Sequence, residues 1–171
     1  AYNEYIKAWF ALHVVGKELG ISDKRDFAFN MSVGYDLDGI KSPKIDAFIE
    51  GLKDASTTEI RKECKEYLLN NIDKFQRLTK EDVENISSSV CPSICLSTLH
   101  GCPPAEIERI ARYLLEEKKL HTFITCNPTL LGYEFARGIL DKMGYDYISF
   151  DDHHFKNDLQ YGDAISMLTR L

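Results

Sequence analysis

Polar side chains able to do chemistry fall in four clusters, and each cluster follows an apolar run. Asn30, Ser32 and Gly34 follow "FAF". Ser97, Thr98, His100 and Gly101 follow "SICL". Thr125, Asn127 and Thr129 follow "HTFI". Ser149, Asp151, Asp152, His153 and His154 follow "YDYI". If each run is a strand feeding a helix, right-handed crossovers bring the clusters to one edge of a parallel sheet. Parallel α/β proteins bind their ligands at that edge, beyond the C-terminal ends of the strands. Strand-to-helix loops are polar for solvation reasons as well, so convergence marks an edge and names no ligand.

The chemistry open to each cluster differs. In "STLHGCPP", Gly101 lets the backbone approach a ligand closely. The N–H groups opening the helix at Pro103 suit an anion such as a flavin phosphate. The simpler alternative is a turn shaped by Gly101 and the prolines. Cys102 and His100 are candidates for a thiol–imidazole pair, although no carboxylate lies nearby in sequence to orient the imidazole. In "FDDHHF", Asp151, Asp152, His153 and His154 offer oxygen and nitrogen donors to a metal ion. Adjacent residues rarely all face one ion. The alternative has Asp151 or Asp152 capping the final helix, with the histidines in solvent. Asn127 suits either a hydrogen bond to a ligand ring or an Asx turn. Cys91, Cys95 and Cys102 form C-x3-C-x6-C, which is not a standard zinc or iron–sulfur spacing.

The elements that position these residues read as follows. Residues 2–18 form an amphipathic helix with Ile6, Trp9, Phe10, His13 and Val14 on one face, stopped by Gly20. Phe27, Phe29 and Met31 alternate as a strand. Ser42-Pro43 opens a helix with an apolar stripe of Ile45, Phe48, Ile49 and Leu52. A second helix carries Ile60, Cys64, Tyr67, Leu68 and Ile72. Thr79 stands three residues before Asp82, a capping-box variant that starts a short helix. From there strand and helix alternate: strand "SICLST", helix "PPAEIERIARYLLEEK", strand "HTFITC", helix "TLLGYEFARGILDKMG", strand "YDYISF", and a final helix after "DDHHF". Strand–helix–strand with short connections is the pattern of parallel βαβ units. The count is four strands and about seven helices. A closed (β/α)8 barrel needs about 250 residues. The expected fold class is therefore α/β, either a small open sheet or half of such a barrel excised from a longer chain.

Composition sets the outer bounds. The 171 residues are 44% hydrophobic and 28% charged, with net charge -6. An acidic chain argues against a nucleic-acid surface. No apolar run reaches the roughly 20 residues of a membrane span, and no basic segment leads into an apolar one as in a secretory signal. Five cysteines, an odd and sparse set, read as reduced and intracellular.

Four stretches, "FAFNMSVGYDLDGIKSPKIDAFIEGLKDAS", "LSTLHGCPPAEIERIARYLLEEKKLHTF", "NPTLLGYEFAR" and "YDYISFDDHHFKNDLQYGDAISMLTRL", together resemble the family named "putative selenate reductase subunit". These are long bacterial iron–sulfur flavoproteins similar to dihydropyrimidine dehydrogenase. Their N-terminal part looks like an FMN-binding (β/α)8 barrel of the dihydroorotate dehydrogenase type. The rest resembles a glutamate-synthase-small-subunit-like module with FAD, NAD(P)H and iron–sulfur clusters. The resemblance covers nearly the whole chain and implies a single segment, residues 1–171, of consecutive middle βα units of the barrel. In the dehydrogenase pattern one strand ends Asn-Leu-Ser-Cys-Pro-His-Gly. Here "CLSTLHG" matches at Ser97, His100 and Gly101, with Cys95 at the Asn position. The next strand there ends in a flavin-contacting Lys, and here "ITCNP" places Thr125 at that position. Thr98 stands after Ser97, where a loop Cys or Ser would be sought as general base.

The resemblance thus implies cofactor-edge roles for Asn30, Ser32, Ser97, Gly101, Thr125 and Asn127. It implies FMN in the barrel and FAD with 4Fe–4S clusters elsewhere in the full-length protein. The expected setting is cytoplasmic, with the remaining domains and redox subunits as partners. The 171 residues alone are expected to hold no cofactor, to be inactive, and to associate as homo-oligomers. Two other readings stand beside this one: a docking scaffold without catalysis, and a metal-dependent hydrolase using Asp151, Asp152, His153 and His154.

Overall fold

A computed structural model describes residues 2–21, 27–34, 36–97 and 102–171. Its helices are α1 (Tyr2–Glu18), α2 (Leu37–Ile40), α3 (Pro43–Lys53), α4 (Glu59–Asn70), α5 (Lys80–Glu84), α6 (Pro104–Arg112), α7 (Tyr133–Lys142), α8 (His153–Asn157) and α9 (Tyr161–Arg170). Its strands are β1 (Asn30–Val33), β2 (Ser93–Ser97) and β3 (His121–Thr125), in the sheet order β1-β2-β3. No described helix is long and apolar enough to cross a membrane. The chain divides into two compact units, residues 1–31 with 41–92 and residues 32–40 with 93–171.

The first unit is built on α1. Its apolar stripe buries Ile6, Trp9, Phe10 and Val14, and the Trp9 indole N–H donates to the Ser87 carbonyl at 3.0 Å. Phe27 and Phe29 pack edge-on to Trp9, with ring centroids 5.2 and 5.6 Å away. Those rings are committed to an aromatic cluster, which explains why the strand expected at Phe27 begins only at Asn30. Ile49 and Leu52 of α3 and Val83 of α5 complete the buried side. Thr79 and Asp82 form the reciprocal capping box at the start of α5. At the other end of α1, the Glu18 carboxylate accepts the backbone N–H groups of Gln76, Arg77 and Leu78. Those N–H donors hold its carboxyl below the ordinary range.

The second unit is the βα part. β2 and β3 pair in parallel, Ser93 opposite His121 through Ser97 opposite Thr125. Ile94 and Leu96 point to a buried face with Ile107, Ile110, Ala111 and Leu114, the apolar side of α6 and of the π turn that ends it. That turn runs through Tyr113–Glu117 and closes with Lys118 N–H donating to the Tyr113 carbonyl at 3.0 Å. Lys119 then takes a positive φ of 56° to redirect the chain into β3. α9 is fastened to α6 by Arg170, whose guanidinium grips the Glu108 carboxylate at 2.6 Å.

Three expected features differ. The helix expected from Thr129 starts as a 3-10 turn, Pro128–Leu131, and breaks at Gly132, where φ is 88°. The final helix is split in two because Asp158 turns inward and the Gln160 side chain donates to the carbonyls of Phe155 and Asp158. The fourth strand, expected at residues 145–150, is absent. Ile148 N–H closes a turn on the Tyr145 carbonyl, and the Arg137 guanidinium occupies the carbonyls of Ile148 and Tyr145. The described residues therefore carry three strands rather than four. Gly144 does end α7 as the sequence suggests: with φ of 82°, it donates to the Asp141 carbonyl while Tyr145 donates to that of Leu140.

Candidate functional site

Alternation along the strands decides which side chains are available. With Ile94 and Leu96 buried, Ser93, Cys95 and Ser97 face the other side of β2. Parallel register puts Phe123 beside Cys95 and Thr125 beside Ser97 on that same face. On β1, Ser32 is exposed and Val33 buried; Asn30, also exposed, belongs to the first unit. Beyond β1, a Cβ on Gly34 would stand 3.6 Å from the Ser97 carbonyl oxygen, so the end of β1 lies against the end of β2.

Within this edge the structure makes one specific pairing. Cys95 Sγ and Thr125 Oγ1 are 2.8 Å apart. Both are positions at which the chain departs from the dehydrogenase pattern, and the tertiary structure sets them against each other. Thr125 therefore directs its hydroxyl across the sheet to a neighbour.

One strand end further, Asn127 is oriented by a residue that sequence reasoning missed. Asp158 is 5% exposed. Its Oδ2 accepts from Thr129 Oγ1 at 2.7 Å and from Asn127 Nδ2 at 3.3 Å. The carboxylate reaches back from the end of α8 to pin the loop after β3. The only hint in the sequence is a charged residue beside Leu159 where a helix breaks, which is too common a pattern to single out.

The loop cysteine is poorly placed as a nucleophile. Burial pushes the Cys102 thiol up, and the Glu106 carboxylate adds to the effect. A raised thiol is protonated at neutral pH and unreactive. Thr98, His100 and Gly101 lie outside the described residues, so the pairing of His100 with Cys102 is not described.

The "FDDHHF" segment is dispersed. Asp151 Oδ1 accepts the His153 N–H at 3.1 Å, which caps α8 rather than the last helix. Asp152 pairs with Lys156 at 2.5 Å, and that hydrogen bond holds its carboxyl low. His153 and His154 are exposed. Among the described residues no three His, Cys, Asp or Glu side chains are placed to hold a metal ion. Phe150 and Phe155 stack at 5.7 Å, with Tyr133 edge-on to Phe155. Together with Pro128, Thr129, Asp151 and His154 these two phenylalanines line a cavity of about 440 Å³.

Comparison with known proteins gives this edge its context. Two curated relatives, each named "Putative oxidoreductase YgfK", come from Escherichia coli K12 and O157:H7. Each is 43% identical over 183 aligned residues, covering 100% of this chain. The chain spans 18% of the length of these relatives. No solved structure matches it. The family model described as "Oxidoreductase YgfK, N-terminal TIM-barrel domain" matches residues 1–171. Three strands with their helices, parallel between β2 and β3, are consistent with part of such a barrel, and the chain belongs to this oxidoreductase family.

Proposed function

We propose that the chain is a run of consecutive βα units from the barrel domain of a cytoplasmic iron–sulfur flavoprotein oxidoreductase. In this reading its strand ends form a structural wall of the barrel mouth, and the redox chemistry is carried elsewhere in the longer protein. The observation that carries this is the 2.8 Å contact between Cys95 and Thr125. A Lys at the Thr125 position would place an ammonium where negative charge develops on a reduced flavin ring. A threonine hydroxyl engaged with a cysteine supplies no such charge. The side chains at this point do not fit an FMN held through a cation. NAD(P)H, FAD and 4Fe–4S clusters belong to the remainder of the protein in this reading, and selenate is the acceptor suggested by the resemblance.

The test is flavin content. The purified 171-residue chain is expected to carry no stoichiometric flavin and to show no turnover. In the full-length protein, Thr125→Lys is expected to leave FMN content unchanged. Stoichiometric FMN with turnover in the 171-residue chain would overturn the reading.

A second reading is a docking scaffold for redox subunits. One observation favours it: Phe135 and Ile139 on α7 and Met143 just past its end recur every four residues and are 54%, 41% and 61% exposed. Loss of subunit association on changing Phe135 and Ile139 to serine, with flavin and iron content intact, would favour the scaffold.

A further inference from the structure

A groove between α1 and α4 lies wholly within the first unit, so what it holds is independent of whatever the strand ends of the second unit bind. Its cavity is about 380 Å³, within the roughly 300–1,000 Å³ of small-molecule sites. Phe10 and Val14 of α1 and Ile60 and Leu68 of α4 form apolar walls. Cys64 adds a half-buried thiol; burial pushes it up, so it is a neutral part of the wall at neutral pH. Ala11, the smallest side chain on the groove, sits at an exposed position and leaves the space open. From Lys7 to Val14 the helix rises about 10 Å, close to the length of an extended eight-carbon chain.

The polar groups of the groove are on its solvent side, where Lys7, Glu63 and Tyr67 are exposed. Lys7 is already engaged. Its Nζ donates to Glu4 Oε1 at 3.0 Å, and that bond holds the ammonium above its ordinary range. Glu63 forms no ion pair among the described residues. The cations of its own helix are committed elsewhere: Lys62 pairs with Glu59 at 3.6 Å, Lys65 pairs with Glu84, and Arg61 donates to the Ile86 carbonyl at 3.0 Å. Two carboxylates, Glu4 and Glu63, thus stand against one ammonium, Lys7, and the opening is net negative. An aliphatic acid entering the groove would set its carboxylate against Glu63. An aliphatic amine would meet Glu63 as a partner.

We propose that this groove is a binding site for a small organic cation with an apolar body, of the alkylammonium type. Its chain lies against Phe10, Val14, Ile60 and Leu68, and its cationic head faces Glu63. Tyr67 at the same opening adds an aromatic ring, a favourable neighbour for such a head.

Calorimetric titration of n-octylammonium into the 171-residue chain at neutral pH tests it, with octanol and octanoate as uncharged and anionic comparisons of equal length. The expected result is saturable binding at one site per chain, tightest for octylammonium, weaker for octanol and weakest for octanoate. Glu63→Gln is expected to weaken octylammonium about two- to fivefold, the scale of an exposed ion pair, and to leave octanol unchanged. Ala11→Phe is expected to abolish binding of all three, because the ring takes the space. Saturating octylammonium should also slow alkylation of Cys64, read by peptide mass mapping, while leaving that of Cys102 unchanged. This last measurement needs only the parent chain, so it decides the matter where a variant fails to fold. Octanoate binding as tightly as octylammonium overturns the proposal. So does the absence of saturable binding, binding that survives Ala11→Phe in a folded variant, or Cys64 alkylation that octylammonium does not slow.

Discussion

Asp158 offers the sharpest test of how the edge is held. It is 5% exposed, and a single oxygen, Oδ2, accepts from Thr129 Oγ1 at 2.7 Å and Asn127 Nδ2 at 3.3 Å. The shorter bond is charge-assisted and buried, worth about 1.5–3 kcal/mol. The longer one lies at the weak end, about 0.5–1 kcal/mol. Asp158→Ala leaves both donors without this acceptor and is expected to destabilise by about 2–4 kcal/mol. Thr129→Val keeps the shape and removes the shorter bond, for about 1.5–3 kcal/mol. Because the two residues share one bond, the double variant is expected to fall short of the sum, with a coupling of about 1–3 kcal/mol. Urea unfolding followed by far-ultraviolet circular dichroism on all four chains measures this, with m-values checked for constancy. A coupling within error of zero would show that the carboxylate does not hold Thr129, and the account of how Asn127 is oriented would fall with it.

Three further outcomes follow from the same structure. Glu108, hydrogen-bonded by Arg170 and then Arg112, has its carboxyl lowered from 4.5 to about 2. A depressed carboxyl stabilises the fold above its unfolded value, so the contribution is whole above about pH 4.5 and is lost as pH falls toward 2. The melting-temperature gap between the parent chain and Glu108→Gln should be constant above that range and close within it; a gap independent of pH would contradict the assignment. Lys119 carries a side chain at φ of 56°, where glycine is free of strain. Lys119→Gly is expected to raise stability by about 0.5–1 kcal/mol in the same urea assay, and a loss would mean that the Lys119 side chain contributes more than the backbone costs. Trp9→Phe removes the 3.0 Å bond to the Ser87 carbonyl from a fully buried position. It should cost about 1–3 kcal/mol through the unsatisfied carbonyl, with lost packing adding to it, and a neutral effect would refute the role of that bond.

Much of the local structure was legible without coordinates. The stripe from Ile6 to Val14 specifies α1, Thr79 and Asp82 specify the start of α5, and Gly144 specifies the end of α7. The alternation in "SICLS" and "HTFIT" specifies β2 and β3, and with them the edge at which Ser97 and Thr125 stand. These features are local: a helix face, a cap or a strand pleat depends on residues within a few positions of one another. The tertiary structure decided the rest. It drew Phe27 and Phe29 to Trp9 and away from the strand, and it turned Asp158 inward to Thr129. It joined Cys95 to Thr125, and it gave the carbonyls of Tyr145 and Ile148 to Arg137 in place of a ladder. Each of these outcomes is a competition between a local preference and a partner remote in sequence or on a neighbouring element. Periodicity carries no information about which partner wins, because the winner depends on packing and on where each hydrogen-bonding group finds its counterpart.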